Sequence, residues 1–282
     1  MTDRCSLTTR AAGIPLAGSA PHTAGWLVVE QRIPWAARAL ESERLDAHVR
    51  DLLTNVSATV LFARRHDASG PERYWFSSAA ATSGLVSGYV SELVEVLAAN
   101  NPLSTLTSTL PGDPVLFVCA NAKRDVCCAI ESKPLLAQLS ERIDVWQCTH
   151  IGGHRFAPTA LLLPTGVVYG RLTAENAVAV LDSAGRGEIV TTEARGSSWL
   201  NPLEQIADIH VRHRFDVKHA LDLVYEVHDA DSSTPTVTVR HLDGRSWRVG
   251  LQRRQSAPVL EACGRDPLSE TYWNVEFIAA VS

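Results

Sequence analysis

The feature that most constrains this chain is an order of hydrophobic patterns that occurs twice. The first pass begins with GWLVVEQRI (25–33), a β-branched apolar run that predicts a buried strand. WAARALESERLDAHVRDLL (35–53) then places Leu40, Leu45, Val49, Leu52 and Leu53 at helical spacing. ATVLFARR and RYWFSSA read as strands on either side of the turn-like HDASGPE. SGLVSGYVSELVEVLAAN (83–100) reads as a second amphipathic helix, stopped by Asn100, Asn101 and Pro102. After the linker PLSTLTSTLPGD the order returns. PVLFVCA (114–120) predicts a strand, and IESKPLLAQLSER (130–142) a helix whose regular part starts near Pro134. DVWQC (144–148) is a short strand, and TALLLPTGVVYGRL (159–172) a strand pair around Pro-Thr-Gly. TAENAVAVLDSAG closes the pass as a helix with Thr173 as N-cap and Gly185 as stop.

A βα unit followed by a hairpin and a helix is, by analogy of plan, thioredoxin-like. The expected fold class is therefore α/β, with two thioredoxin-like lobes at residues 1–110 and 111–197. A small C-terminal α+β module fills 198–282. There NPLEQIADIHVRHRF (201–215) predicts a helix, which DVKHALDLVYEV continues or follows. TVTVRHLDGRSWRVGLQRR is a hairpin turning at Asp243-Gly244, and TYWNVEFIAAV a last strand. This module is read as structural, not catalytic.

With 45% hydrophobic residues in 282, the chain has ample material for a core. Its net charge of -5 gives no general attraction to nucleic acid or anionic lipid. The N-terminus lacks the apolar core of a secretory signal, and TALLLPTGVVYG is broken by Pro164 and Gly166 and too short to span a bilayer. The expectation is a cytoplasmic protein without membrane insertion. In that reducing compartment, clustered cysteines point to metal or redox chemistry and not to a disulfide framework.

Six cysteines are present, and Cys119, Cys127, Cys128 and Cys148 fall in one short region. The candidate ligands are Cys119, Cys127 or Cys128, His150 and His154. Cys119 ends a strand, Cys127 and Cys128 lie at or just before the next helix, and the histidines follow the neighbouring strand. Adjacent parallel strands end at one edge of a sheet, so these loops can meet there. In QCTHIGGHRFA (147–157) the pair Gly152-Gly153 argues against a helical H-x3-H face. A glycine loop lets backbone N–H groups approach a bound group closely. Cys148 reads as a small buried hydrophobe, and Cys5 and Cys263 as structural. Two cysteines and two histidines are also a legitimate zinc set, although the cysteine spacing exceeds that of a finger knuckle. A thiol-disulfide enzyme is disfavoured by the lack of C-x-x-C.

VCANAKRDVCCA followed by CTHIGGHRFAPTALLLPTGVVYGRL resembles the sucrase/ferredoxin-like family, a branch of the thioredoxin-like [2Fe-2S] ferredoxins. The opening PLAGSAPHTAGWLVVEQRIPWAARAL is similar to bacterial members. The resemblance implies that Cys119 and Cys128 hold one iron and that His150 and His154 hold the other. Cys128 is preferred because it precedes Ala129 at the helix entry, where the family places its ligand, with Cys127 as the fallback. Around the cluster, Arg124 and Asp125 are expected as a buried pair ordering the loop. Gly152 and Gly153 supply backbone donors, and Arg155 braces the histidine loop or tunes the charge. The implied activity is electron transfer with proton-coupled one-electron chemistry, served by a redox partner protein. One alternative is an iron-sulfur oxidoreductase acting on a small molecule such as a ferric siderophore; another is a structural zinc protein. Nothing in the chain marks a paired-carboxylate glycosidase site.

Overall fold

Strand β1 (Gly25–Glu30) is buried at every position because its side chains alternate between two apolar layers. Trp26 and Val28 enter one layer, Leu27 and Val29 the other. The computed structural model describes residues 4–79, 84–142 and 144–281. Beside β1 run β2 (Thr59–Arg64), parallel to it, and β3 (Arg73–Ser78), antiparallel; β4 (Val86–Tyr89) pairs with β3. The same arrangement recurs in β5 (Val115–Cys119), β6 (Val145–Cys148), β7 (Ala160–Leu163) and β8 (Val167–Tyr169). Here β5 and β6 are parallel, β7 runs antiparallel to β5, and β8 antiparallel to β7. An extra strand, β9 (Ala194–Ser197), lies outside β8. Antiparallel pairing of Ala63 with Cys148 and Arg64 with Gln147 joins β2 to β6. The recurring plan therefore builds two halves of one nine-stranded sheet, ordered β4-β3-β1-β2-β6-β5-β7-β8-β9, and the fold is α/β.

The sheet is strongly curled. Three strand spacings separate β3 from β6, roughly 14 Å on a flat sheet. Yet the rings of Trp75 on β3 and Trp146 on β6 have centroids 4.7 Å apart, and Trp75 and Phe117 on β5 are 5.2 Å apart. These aromatics meet on the concave face and make a core shared by both halves. On the other face each half has its own helices. α2 (Ala47–Thr54) and α3 (Val90–Ala98) pack Leu53, Leu93 and Leu97 on the first half. α4 (Val126–Gln138) and α5 (Ala174–Ala184) pack Leu135, Val180 and Leu181 on the second.

Several boundaries differ from the sequence reading. The helix expected over 35–53 is confined to α2, with a short 3-10 turn at Ala39–Glu41. Buried Ser42 explains this: its hydroxyl accepts from Ala36 N at 3.0 Å and donates to Ala39 O at 2.7 Å, competing with the helical ladder. The helix expected over 83–100 gives up its start to β4; Ser83 lies outside the described residues. Glu92 Oε2 accepts from Tyr89 N at 2.9 Å and sets the later beginning of α3. α4 starts eight residues before Pro134, because Asp125 caps it by accepting from Cys127 N at 2.8 Å. α5 lies where expected, its N-cap Thr173 accepting from Asn176 N at 3.2 Å. α1 (Cys5–Ala11) was not anticipated.

The C-terminal part is a second sheet of four antiparallel strands, β10 (Leu223–His228), β11 (Thr236–His241), β12 (Ser246–Gln255) and β13 (Thr271–Ala280). DVKHALDLVYEV thus turns into a strand and does not prolong the helix, since Asp216 adopts a left-handed φ of 52° that ends α6 (Pro202–Phe215). α6 covers the sheet with Ile206, Ala207 and Val211 against Val237, Val239 and Val249. No helix among the described residues is long and apolar enough to cross a membrane.

The curl predicts a steep cost for its central ring. Phe117→Ala lowers the unfolding free energy by ~3–5 kcal/mol, read from the urea midpoint. Exposed Val126→Ala shifts it by less than ~0.5 kcal/mol.

Candidate metal centre

The parallel pairing of β5 with β6 sets Cys119 level with Cys148, so both following loops leave from the same sheet edge. Cys119 is fully buried there, and Ser132 donates to its carbonyl at 2.7 Å, fixing the strand end against α4. Cys128 sits in the first turn of α4 and points to the same place. His150 Nδ1 lies 3.8 Å from Cys119 Sγ and 3.7 Å from Cys128 Sγ. The donor atoms of these three residues all fall within 4.8 Å of one another. The Cys119 thiol is held well below its ordinary range by the Cys128 S–H that donates to it, with His150 and the Ile151 amide adding to the effect against burial. The same hydrogen bond, with burial, pushes the Cys128 thiol up.

His154 stands at the rim of this group, its ring centroid 5.3 Å from that of His150. Its Nε2 lies 2.9 Å from the carbonyl of Glu261 and 3.6 Å from Asp125 Oδ2. Its Nδ1 is buried and has no hydrogen-bond partner among the described residues. Burial pulls the imidazole below its ordinary range, while the Asp125 carboxylate opposes it.

Gly152 and Gly153 adopt φ values of 105° and 71°, and a 3-10 turn follows at His154–Phe156. This bend sends both histidines to one side and rules out a helical H-x3-H face. Arg195, fully buried on β9, holds the bend by donating to Gly152 O at 2.9 Å and to Ser19 Oγ and O. No carboxylate pairs with it among the described residues. Burial pulls the Arg195 guanidinium down to about 9, with Arg155 adding to this, while Cys119 and Cys128 pull the other way. The sequence reading missed Arg195, since only the tertiary fold brings it to the loop.

Arg124 is exposed, so the expected buried Arg124–Asp125 pair does not form. Asp125 instead accepts from Cys127 N at 2.8 Å and Cys263 N at 3.1 Å. Burial pushes its carboxyl up, but the two amides and His154 together hold it below the usual carboxylate range. Arg155 bonds Glu270 at 2.8 Å and so ties the histidine loop to the segment between β12 and β13. The C-terminal module thus reaches the site. Cys148 lies in the shared core, where burial raises its thiol well above the ordinary range. Cys127 faces away from Cys119 and packs against Cys5, Ser6 and Cys263.

The family model described as sucrase/ferredoxin-like matches residues 16–196, which include all four proposed donors. No curated protein and no solved structure matches the chain.

The glycine bend gives a direct test. Gly153 and Gly187 both have left-handed φ, 71° and 72°. A Cβ on Gly187 meets open space, whereas one on Gly153 lands 2.6 Å from Arg195 Cζ. Gly187→Ala should cost ~1 kcal/mol and Gly153→Ala more than about 2 kcal/mol, measured by denaturant unfolding. Equal losses contradict the clamp.

Proposed function

The chain belongs to the sucrase/ferredoxin-like family, and on that premise we propose that it transfers single electrons through a [2Fe-2S] cluster held by Cys119, Cys128, His150 and His154. The donor set carries the reading. Two buried sulfurs face His150 Nδ1 at 3.8 and 3.7 Å, and His154 keeps a buried, unpartnered Nδ1 at the rim. The strand order β6-β5-β7-β8 supports a thioredoxin-like ferredoxin unit. Zinc would accept the same four residues. The cluster is favoured because a buried guanidinium without a carboxylate partner suits a site that takes on negative charge. When bound, such a cluster stores one electron at a potential raised by the replacement of two thiolates with imidazoles.

The chain's own groups serve the accompanying proton. His154 holds a proton on Nε2 against the Glu261 carbonyl, with the Asp125 carboxylate behind it. His150 is half-buried and opens on a cleft of about 220 Å³, lined also by Arg38, Leu61, Arg124 and Thr149, which connects it to solvent. The cleft is smaller than the ~300–1,000 Å³ of ordinary small-molecule pockets, so the face suits docking of a redox partner protein. The two arginines at its rim favour a second reading, in which an anionic small molecule such as a ferric siderophore takes the electron there. No disulfide joins any of the six cysteines, which supports the expected reducing compartment.

Anaerobically purified protein should contain about two irons and two sulfides per chain and give a reduced-state EPR signal. Its reduction potential should fall as pH rises through the histidine range, because reduction favours the protonated imidazole. His154→Cys should keep the cluster, lower the potential and flatten this pH dependence. A colourless protein with zinc on Cys119 and Cys128 overturns the assignment.

A further inference from the structure

Behind the first group of donors lies a second one. Cys5 at the start of α1, Cys127 in the first turn of α4 and Cys263 between β12 and β13 come from three distant parts of the chain. Their sulfurs form a triangle with edges of 3.2 Å (Cys127–Cys263), 3.5 Å (Cys5–Cys127) and 3.6 Å (Cys5–Cys263). Cys5 and Cys127 are fully buried and Cys263 partly so. Asp125 closes the group, its carboxylate oxygens 3.9 and 4.0 Å from Cys5 Sγ. The donor atoms of all four residues lie within 4.8 Å of one another.

From this geometry we infer that Cys5, Cys127, Cys263 and Asp125 form a second metal site, a closed structural zinc site separate from the one proposed for the cluster. Three arguments support zinc. Tetrahedral zinc with ~2.3 Å bonds to sulfur needs sulfur–sulfur edges of roughly 3.8 Å; the Cys5 edges of 3.5 and 3.6 Å come close to this and the Cys127–Cys263 edge of 3.2 Å has to open by about half an ångström. The corners of so small a triangle lie only about 2.0 Å from its centre, so an ion at bonding distance stands above the sulfur plane and requires a fourth ligand. Asp125 is placed to supply it and is already held by the amides of Cys127 and Cys263. Second, a disulfide between any two of these cysteines leaves the third sulfur pressed against it. Third, the Ser6 hydroxyl lies 3.4 Å from Cys127 Sγ and 3.1 Å from Glu131 Oε1, within reach of a metal-bound thiolate as a polar neighbour. On binding, Zn²⁺ replaces the three thiol protons, which pass to solvent. The site would pin the N-terminal helix and the β12–β13 segment to α4. That segment carries Glu261, whose carbonyl meets His154.

The inference does not depend on the first site's holding iron. The test is metal analysis of full-length protein purified anaerobically from zinc-supplemented cells. Wild type should carry about one zinc per chain more than Cys263→Ala or Cys5→Ala does, whichever metal the first site holds. Both variants should retain whatever iron the wild type holds, whereas Cys119→Ala should keep the zinc. Cobalt(II) added to zinc-stripped protein should give a thiolate charge-transfer band that Cys119→Ala keeps and Cys263→Ala largely loses; because Cys263 lies in a partly exposed loop, this variant tests the site even if Cys5→Ala fails to fold. A zinc content unchanged in Cys263→Ala, zinc lost only in Cys119→Ala, zinc-free wild type, or a Cys127–Cys263 disulfide found by alkylation and peptide mapping would each overturn it.

Discussion

The carboxylate of Asp125 is the interaction on which the arrangement of both donor groups depends. It is buried, and it caps α4 through the Cys127 amide. A cap of this kind is worth about 1 kcal/mol, and a hydrogen bond to a charged group about 1.5–3 kcal/mol. Here the same carboxylate also holds the Cys263 amide and faces His154. One side chain thus fixes where α4 begins, which way its two cysteines point, and where the β12–β13 segment is tethered. This also explains the failed expectation of an Arg124–Asp125 pair. Asp125 is already engaged by amide donors, and Arg124 is free to line the cleft beside His150.

The cysteine doublet follows from the helix that the cap creates. Successive residues on an α-helix are about 100° apart around the axis. Cys127 and Cys128 therefore point in different directions. Cys128 turns toward Cys119 and His150, and Cys127 turns toward Cys5 and Cys263. Cys128, the residue preferred from the sequence, is the one beside Cys119 and His150. Each cysteine belongs to its own group, with Asp125 between the two.

What could be read from the sequence was what local pattern determines. The apolar runs gave the strands, and the shared edge of two parallel strands brought together Cys119, Cys128 and His150. Thr173 and Gly185 marked α5 correctly because capping is a contact between neighbours in the chain. β4 was hidden because VSGY adjoins a strong helical pattern and becomes a strand only by pairing with β3. Leu40 and Leu45 matched a helix, yet Ser42 between them bonds the backbone and prevents it. Cys5 and Cys263 are 258 residues apart, so no spacing rule could unite them. The C-terminal module looked remote from the site for the same reason, until its connecting segment was seen to reach His154 and Cys127.

Arg195 shows how the fold can set the chemistry of the first group without touching the donors. Removing a guanidinium from water costs several kcal/mol unless a negative group compensates for it. Its hydrogen bonds go to Ser19 and to Gly152 O, all uncharged. Burial dominates and pulls the Arg195 pKa down, and the sulfurs of Cys119 and Cys128 are the groups that pull it upward. With two thiolates and two neutral imidazoles on the proposed ligand set, the site gains net negative charge only when an electron is added. In the proposed cluster, a fixed, dry positive charge nearby would favour the state with the electron. On the proposed reading, Arg195 and the two imidazoles would act in the same direction, both raising the potential. The guanidinium meanwhile braces the glycine bend from which the imidazoles project.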